Sequence, residues 1–202
     1  MSDLRGYHRT AIEVASALVG AVPADGLGAV TPCGSWDLGR LLAHMTGQNH
    51  GFAAAARGER EDMGIWADRP VAAGEDPGRA FAASGTEVVA AFAAIEDLPG
   101  SRMWLPEVRP EPLRAEVAVG FQLVDTVVHA WDVAKSIGAR AEFGADLLDA
   151  TLRIALAVPD GAERTAQGAA FAPGVAAPEG AAALDRIVAA LGRDPHWAAP
   201  AG

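Results

Sequence analysis

Three polar side chains lie close together in an otherwise apolar stretch of this 202-residue sequence. Asp125, His129 and Asp132 fall within a run from 118 to 134 in which most other residues are apolar. On an α-helix, His129 lies about 40° from Asp125, and Asp132 lies about 20° from Asp125 on the other side. The three side chains therefore share one stripe of a helix that is apolar nearly all the way round and is expected to be buried.

A carboxylate in such a position needs a cation. Burying it costs several kcal/mol unless it is paired with a positive group or bound to a metal ion. Lys135 is the only lysine of the chain and the nearest cationic side chain, yet it follows Asp125 by ten residues. A divalent metal ion would satisfy both Asp125 and His129, because residues four apart lie one helical turn from each other.

A third ligand would have to come from another helix, and His44 is the candidate. It sits between Leu41 and Met45, on the margin of the apolar stripe of the predicted second helix. His50 lies about 120° further round that helix, so the two histidines cannot face one site. The set of two imidazoles and one carboxylate suits zinc, iron, nickel or manganese. Three protein ligands leave positions open for water or substrate, as a catalytic metal site requires.

The same residues also allow purely structural interpretations. A histidine on an apolar helix is often a core residue bonded to a carbonyl, and an aspartate four residues before it can simply fix its tautomer. Asp132 could accept a hydrogen bond from a ligand imidazole, or it could pair with Lys135 or an arginine. Cys33 is expected to be a small buried residue rather than a nucleophile. Four tryptophans, at 36, 66, 104 and 131, are expected to pack in the core.

The elements that would position these residues are helices. Alanine and leucine are abundant, and alternation of β-branched residues is scarce. The apolar spacing predicts helices over about 3–19, 35–57, 77–95, 114–137, 145–158 and 181–191. Ser35 is the predicted N-cap of the second helix, with Asp37 in its first turn. The segments 58–76 and 101–113 are predicted loops that would wall a pocket.

Four long helices predict an all-α, antiparallel four-helix bundle. The bundle is expected to occupy residues 1–158. Residues 159–202 are expected to form a C-terminal extension that packs on the bundle as part of the same domain. The chain shows no internal repeat and no clear linker that would divide it further.

The composition of the chain argues against several classes of binding partner. A formal net charge of −10 argues against nucleic acid and against an anionic membrane surface. No apolar run approaches the roughly 18 residues of a membrane helix, and no signal-like segment is recognised, so a cytoplasmic protein is expected. The single cysteine excludes an internal disulfide. Oligomeric state cannot be read from the sequence, and a homodimer stays open.

Three segments resemble the signatures of a known group. The segment from Thr31 to His44 is similar to the start of the second helix in actinobacterial metal-binding proteins of the DinB-like superfamily. That superfamily includes the metal-binding N-terminal domain of mycothiol-dependent maleylpyruvate isomerase. The pattern from Asp125 to Ala134 resembles the group's second signature, and the segments 171–173 and 185–195 resemble its C-terminal signature. The resemblance spans about residues 5 to 195.

The resemblance implies a DinB-like bundle whose metal is held by His44, Asp125 and His129. The related isomerase has a glutamate where this chain has Asp125. The group often uses a low-molecular-weight thiol, mycothiol in actinobacteria, as cosubstrate. A metal-bound thiol is a thiolate at neutral pH, whereas a free thiol near pKa 8.5 is mostly protonated. Maleylpyruvate isomerase activity itself is not implied, because the tail at 159–202 is too short to match that enzyme's C-terminal domain.

The first functional hypothesis is therefore a metal-dependent enzyme, with zinc as the expected metal. Such an enzyme would transfer a mycothiol-like thiol to a small electrophile or isomerise that electrophile. A second hypothesis is a metal-dependent hydrolase or lyase that activates water without a thiol. A third is a small-molecule-binding protein that kept the bundle without the chemistry.

Overall fold

The computed structural model describes residues 4–23, 25–59, 62–71, 75–166 and 169–199. These residues form six α-helices and two short strands. The helices are α1 (Leu4–Gly20), α2 (Leu38–Ala56), α3 (Pro77–Ala93), α4 (Ala115–Ser136), α5 (Ala145–Ala155) and α6 (Ala183–Ala190). The strands are β1 (Arg102–Met103) and β2 (Leu113–Arg114), which pair antiparallel.

Helices α1 to α4 form the bundle. Helix α1 packs on α3 and α4, and α2 also packs on both of them. The core between them is aliphatic and aromatic, and its fully buried members include Leu41, Phe81, Val88, Phe92 and Val119. Helix α4 is buried on nearly every side, as its all-round apolar sequence predicts. The predicted all-α four-helix bundle is confirmed.

The start of α2 differs by a few residues from the sequence prediction. The N-cap is Asp37, whose carboxylate accepts a hydrogen bond from the backbone N–H of Arg40 at 2.8 Å. Ser35 instead lies in the tight loop before the helix. Thr31 stabilises this loop, because its hydroxyl donates to the carbonyl of Trp36 and accepts from the backbone N–H of Cys33. The loop thereby holds Cys33 and Trp36 beside the first turn of α2.

The chain after α2 returns along the helix and packs closely against it. It contains a 3₁₀ turn (Met63–Trp66), and the backbone N–H of Arg69 donates to the carbonyl of Ala43 at 2.8 Å. The contact depends on two glycines of α2. A Cβ at Gly47 would collide with the carbonyl oxygen of Ala67, and one at Gly51 would collide with the ring of Trp66. Glycine is therefore required at both positions for the loop to approach the helix.

The C-terminal part covers a side of α4 and buries Val124 and Val128 there. Ile187 and Leu191, at the end of α6, join a buried cluster with Val124 and Val128 of α4. Gly192 then turns the chain with φ of +82°, a conformation that suits glycine. The turn directs the next side chain, that of Arg193, back into the bundle, where it is buried.

Among the described residues, no helix is both long enough and apolar enough to span a lipid bilayer.

Candidate metal centre

His44, Asp125 and His129 lie together between α2 and α4. One ligand atom from each residue falls within 4.8 Å of the other two. The Nε2 atom of His129 is 3.3 Å from Oδ1 of Asp125, and the rings of His44 and His129 meet edge to face at 5.4 Å. The helical spacing brings Asp125 and His129 together, and the contact of α2 with α4 brings His44 to them. The three predicted ligands therefore share one site.

Asp132 lies on the other side of the His129 ring. Its Oδ2 atom is 3.0 Å from Nδ1 of His129 and accepts a hydrogen bond from Nη2 of Arg193 at 3.1 Å. All three side chains are almost completely buried, and Asp132 is fully so. If a metal replaced the proton on Nε2, the hydrogen bond from Nδ1–H to Asp132 would leave the Nε2 lone pair on the opposite side of the ring, toward Asp125. Asp132 would therefore fix the tautomer that a metal at Nε2 needs.

A second group of metal-ligating side chains overlaps the first. Cys33, His129 and Asp132 also lie close enough together to hold an ion. A cation already occupies that position, because Nη2 of Arg193 contacts both Sγ of Cys33, at 3.3 Å, and Oδ2 of Asp132. The guanidinium makes the second group an ion-pair cluster, and the set with His44 and Asp125 is left as the candidate metal site.

His44 also has a carboxylate beside it. Asp68, in the loop packed along α2, places Oδ1 at 3.5 Å from Nδ1 of His44. Each of the two candidate imidazole ligands thus has an aspartate beside its Nδ1 atom, an arrangement common around metal-bound histidines. Trp36 packs against the His44 ring at 4.9 Å and shields it on another side.

The charges around the cluster favour a cation at its centre. Burial opposes the charged form of His129, but Asp125 and Asp132 outweigh it and raise the pKa of His129 to about 10. Burial likewise works to raise the pKa of Asp125, yet the nearby His129 holds that pKa below its ordinary value. Burial lowers the pKa of His44. The cluster therefore stabilises a positive charge between its carboxylates, whether a proton or a metal ion supplies it.

The donor atoms fit a first-row divalent metal. With metal–ligand bonds of about 2.1 Å, neighbouring ligand atoms in a tetrahedral site lie about 3.4 Å apart. The separation of 3.3 Å between His129 and Asp125 matches that edge. The remaining ligand atoms, within 4.8 Å of one another, would close in by at most about 1.4 Å on binding. Oδ1 of Asp132 is buried and has no hydrogen-bond partner among the described residues, so one acceptor beside the centre is left unsatisfied.

The other singled-out residues lie elsewhere or act differently. His50 faces away from the cluster, as predicted, and its Nδ1 contacts Glu87 at 2.7 Å beside a separate open cavity of about 370 Å³. Lys135 donates to the carbonyl of Pro195 rather than to Asp132. Trp66 and Trp131 are core residues, whereas those at 36 and 104 are half-buried.

Sequence reasoning missed two members of the site. Arg193 is one of several arginines that could pair with Asp132, and its place follows from the turn at Gly192, 60 residues after Asp132. Asp68 lay in a segment predicted only as a loop. The sequence signal for a loop packed against α2 is the pair of glycines four residues apart in this helix, because such glycines mark a face that another backbone approaches. Cys33 is half-buried beside the cluster, and burial raises its pKa, which favours the neutral thiol.

The structure belongs to the class of four-helix bundles with a candidate metal centre. Two histidines and an aspartate form this centre between the second and fourth helices. Within that class, residues 8–134 match the family model described as the mycothiol maleylpyruvate isomerase N-terminal domain. The match covers more than half of the chain, and the chain belongs to this family.

Individual relatives agree with the assignment. An uncharacterized protein of Mycobacterium tuberculosis, found in two strains, is 29% identical over 188 residues, which cover 92% of this chain and 95% of the relative. Two crystal structures of mycothiol-dependent maleylpyruvate isomerase share the fold. A histidine-to-alanine mutant superposes with a TM-score of 0.62, and the other structure superposes with 0.55. Each is 16% identical, and the match covers 89% of this chain and 77% of the isomerase.

Proposed function

We propose that this chain is a metal-dependent enzyme that uses a mycothiol-like thiol. The enzyme either transfers this thiol to a small electrophile or isomerises the electrophile. One observation carries the proposal: two imidazoles and a carboxylate from two helices place ligand atoms within 4.8 Å of one another. Membership in a family named for a mycothiol-dependent isomerase supports the choice of cosubstrate. Zinc is the metal we expect, and nickel or iron would also suit these donors.

Each residue has a defined part in this proposal. His44, Asp125 and His129 would hold the metal, and a bound metal would keep a thiol deprotonated at neutral pH. Asp132 and Arg193 hold the His129 ring in one orientation, and Asp68 does the same for His44. The carboxylate of Asp125 partly balances the metal's charge. The thiolate is then the nucleophile, so that no nucleophilic side chain is required.

The test compares turnover with and without thiol. The protein, purified without a histidine tag and loaded with zinc, is incubated with a conjugated carbonyl compound and mycothiol, while thiol consumption and isomer ratio are followed. We expect turnover only with both metal and thiol. We expect Asp125→Asn to lose it, and Cys33→Ser, a change outside the three-ligand set, to keep most of it.

Other outcomes would favour the alternatives. Metal-dependent turnover that ignores mycothiol would support a hydrolase or lyase that activates water. If no turnover is found, and metal removal changes stability but not ligand affinity, the non-catalytic binding protein is favoured. Circular dichroism of each variant shows whether a loss of turnover comes from a change in the site or from loss of the fold.

A further inference from the structure

Arg164 is buried in the C-terminal part of the chain, as Arg193 is. It lies in a 3₁₀ turn (Ala162–Thr165) that follows α5. Its guanidinium donates hydrogen bonds to four backbone carbonyls, those of Val158 (3.2 Å), Pro159 (2.7 Å), Ala172 (3.2 Å) and Ala190 (2.6 Å). A guanidinium has five donors in a planar fork, which a lysine ammonium does not reproduce. Arg164 therefore connects three stretches of backbone that are separate in sequence.

Two of these carbonyls lie at the turn that directs the side chain of Arg193. Ala190 is the last residue of α6 and precedes Gly192 by two residues. A Cβ at Gly192 would lie 2.7 Å from the carbonyl oxygen of Ala172, so the two backbones are in close contact there. The backbone N–H of Arg193 closes the turn by donating to the carbonyl of Val188 at 2.9 Å. One nitrogen of the Arg164 guanidinium, Nη1, thus bonds the backbone on both sides of the turn.

Arg193 connects that turn to the candidate metal centre. Its Nη1 donates to the carbonyl of Leu191 at 2.9 Å, and its Nη2 donates to Oδ2 of Asp132 at 3.1 Å. The same carboxylate oxygen is 3.0 Å from Nδ1 of His129. These side chains are all buried, and a close-packed interior transmits a displacement from one group to the next. A continuous series of short contacts therefore runs from Arg164 to a candidate metal ligand.

We propose that Arg164 is a positioning residue of the candidate metal centre. It fixes the turn at Gly192, and the turn places the guanidinium of Arg193. Arg193 and Asp132 then hold the ring of His129 in the orientation that a metal at Nε2 needs. The inference rests on the proposed function and adds a residue that lies far outside the ligand set. An imidazole ligand whose hydrogen-bond partner is displaced binds metal about 10- to 100-fold more weakly.

The experiment uses the full chain and compares metal binding with stability. Zinc affinity is measured by competition titration, the ligand geometry by absorption of the cobalt-loaded protein, and stability by urea unfolding. The main variant is Arg164→Lys, which keeps the charge and loses the fork. Gly192→Ala, which forces a Cβ against Ala172, perturbs the same turn independently. Leu152→Ala is the matched control, because it leaves a cavity in the buried cluster against α4 and changes no side chain at the turn.

A further measurement needs no metal. The proton on Nδ1 of His129 is followed by NMR in the metal-free protein, and His129→Gln assigns its signal. The last comparison places Arg164→Lys in a background of Asp132→Asn with Arg193→Met, in which the contacts that orient His129 are already removed.

We expect Arg164→Lys and Gly192→Ala each to weaken zinc binding about tenfold, to alter the cobalt spectrum and to shift the Nδ1 proton signal. Leu152→Ala should lower stability and leave zinc affinity and both spectra as in the wild type. In the background that lacks Arg193 and the Asp132 charge, Arg164→Lys should change zinc affinity by no more than about twofold.

Unchanged zinc affinity and an unchanged Nδ1 signal in the folded turn variants would overturn the inference while the proposed function stands. Equal losses of affinity in Arg164→Lys and Leu152→Ala would also overturn it, because the effect would then follow stability alone. A wild type that binds no metal would count against the proposed function instead, and the NMR comparison of the metal-free proteins would still test the role of Arg164.

Discussion

Asp132 connects the candidate metal centre to the C-terminal segment. It is fully buried, and its Oδ2 serves both His129 and Arg193. Removing its charge leaves the buried guanidinium unpaired, which costs about 3–5 kcal/mol, and frees the imidazole ring. The site and the fold therefore depend on the same carboxylate.

We predict that Asp132→Asn lowers the free energy of unfolding by about 3 kcal/mol and weakens metal binding by about 10- to 100-fold. Adding Arg193→Met removes the unpaired charge, so the double variant should regain much of the stability while metal affinity stays low. Urea unfolding and metal competition titration measure the two effects separately. Losses that simply add in the double variant would show that the two side chains do not interact.

His8 of α1 is a second buried ionisable residue, outside the metal centre. Both ring nitrogens lack a hydrogen-bond partner among the described residues, and burial lowers its pKa to about 3. The unfolded chain binds the proton near pKa 6.5, so protonation favours unfolding. The stability associated with neutral His8 is present above pH 6.5 and is lost as the pH falls from there toward 3.

We predict that this histidine removes about 2 kcal/mol of stability between pH 7 and pH 5. His8→Leu, which keeps an apolar contact with Phe92, should remove that part of the pH dependence and raise stability at pH 7. Urea unfolding at both pH values measures the difference. His50→Gln is the control, because His50 is partly exposed. Equal pH slopes for wild type and His8→Leu would contradict the prediction.

The sequence predicts the local part of the site and not its long-range contacts. Asp125 and His129 could be paired because helical spacing alone places them together. His44 needed a guess about which helices touch, guided by its position on an apolar stripe. Arg193 and Asp68 could not be assigned, because their positions follow from tertiary packing.

At the level of elements, helix α2 and the loop packed along it position His44 and Asp68. The approach depends on Gly47 and Gly51, whose missing side chains leave room for Ala67 and Trp66. The loop places Oδ1 of Asp68 3.5 Å from Nδ1 of His44. Its distance from the helix therefore affects the orientation of a candidate ligand.

We predict that Gly47→Ala lowers the free energy of unfolding by about 1–3 kcal/mol, although alanine is the better helix former by about 1 kcal/mol. The loop must move, so metal affinity should fall as well. Gly20→Ala is the control, since a Cβ there meets nothing within 4 Å. A Gly47→Ala protein as stable as wild type would show that the loop does not pack against α2.

Helix positions were predictable because most boundaries carry a local signal. The α3 helix begins at Pro77 with Asp76 as its cap, as expected of proline in a first turn. For α2 the sequence predicts Ser35 as the cap with Asp37 in the first turn, whereas Asp37 is the cap and also forms an isolated β-bridge with Val30. The strands β1 and β2 were missed, because two-residue strands carry no periodic pattern.

For the whole molecule, we propose that residues 1–158 and 159–202 fold as one unit. Two contacts support the proposal: the buried cluster of Ile187 and Leu191 with α4, and the pairing of Arg193 with Asp132. Helix α4 thus packs against the bundle on one side and against the C-terminal segment on the other.

We predict that Ile187→Ala lowers the free energy of unfolding by about 2–5 kcal/mol, as a cavity in a core does. Slow amide exchange should then accelerate by a similar factor in α1, α2 and α6, because all open together. Exposed Val175→Ala is the control. Faster exchange confined to α6 would show that the C-terminal segment opens alone and would contradict a single unit.

The number of metal ions bound per chain decides whether His44, Asp125 and His129 form a metal centre. The full chain is purified without a tag, loaded with zinc and dialysed, and bound metal is measured by atomic emission for the wild type, His44→Gln, Asp125→Asn, His129→Gln and Cys33→Ser. We predict about one ion per chain in the wild type and in Cys33→Ser, and a large loss in the other three folded variants. Metal that is absent from the wild type, or that is lost with Cys33 and kept without His44, would contradict it.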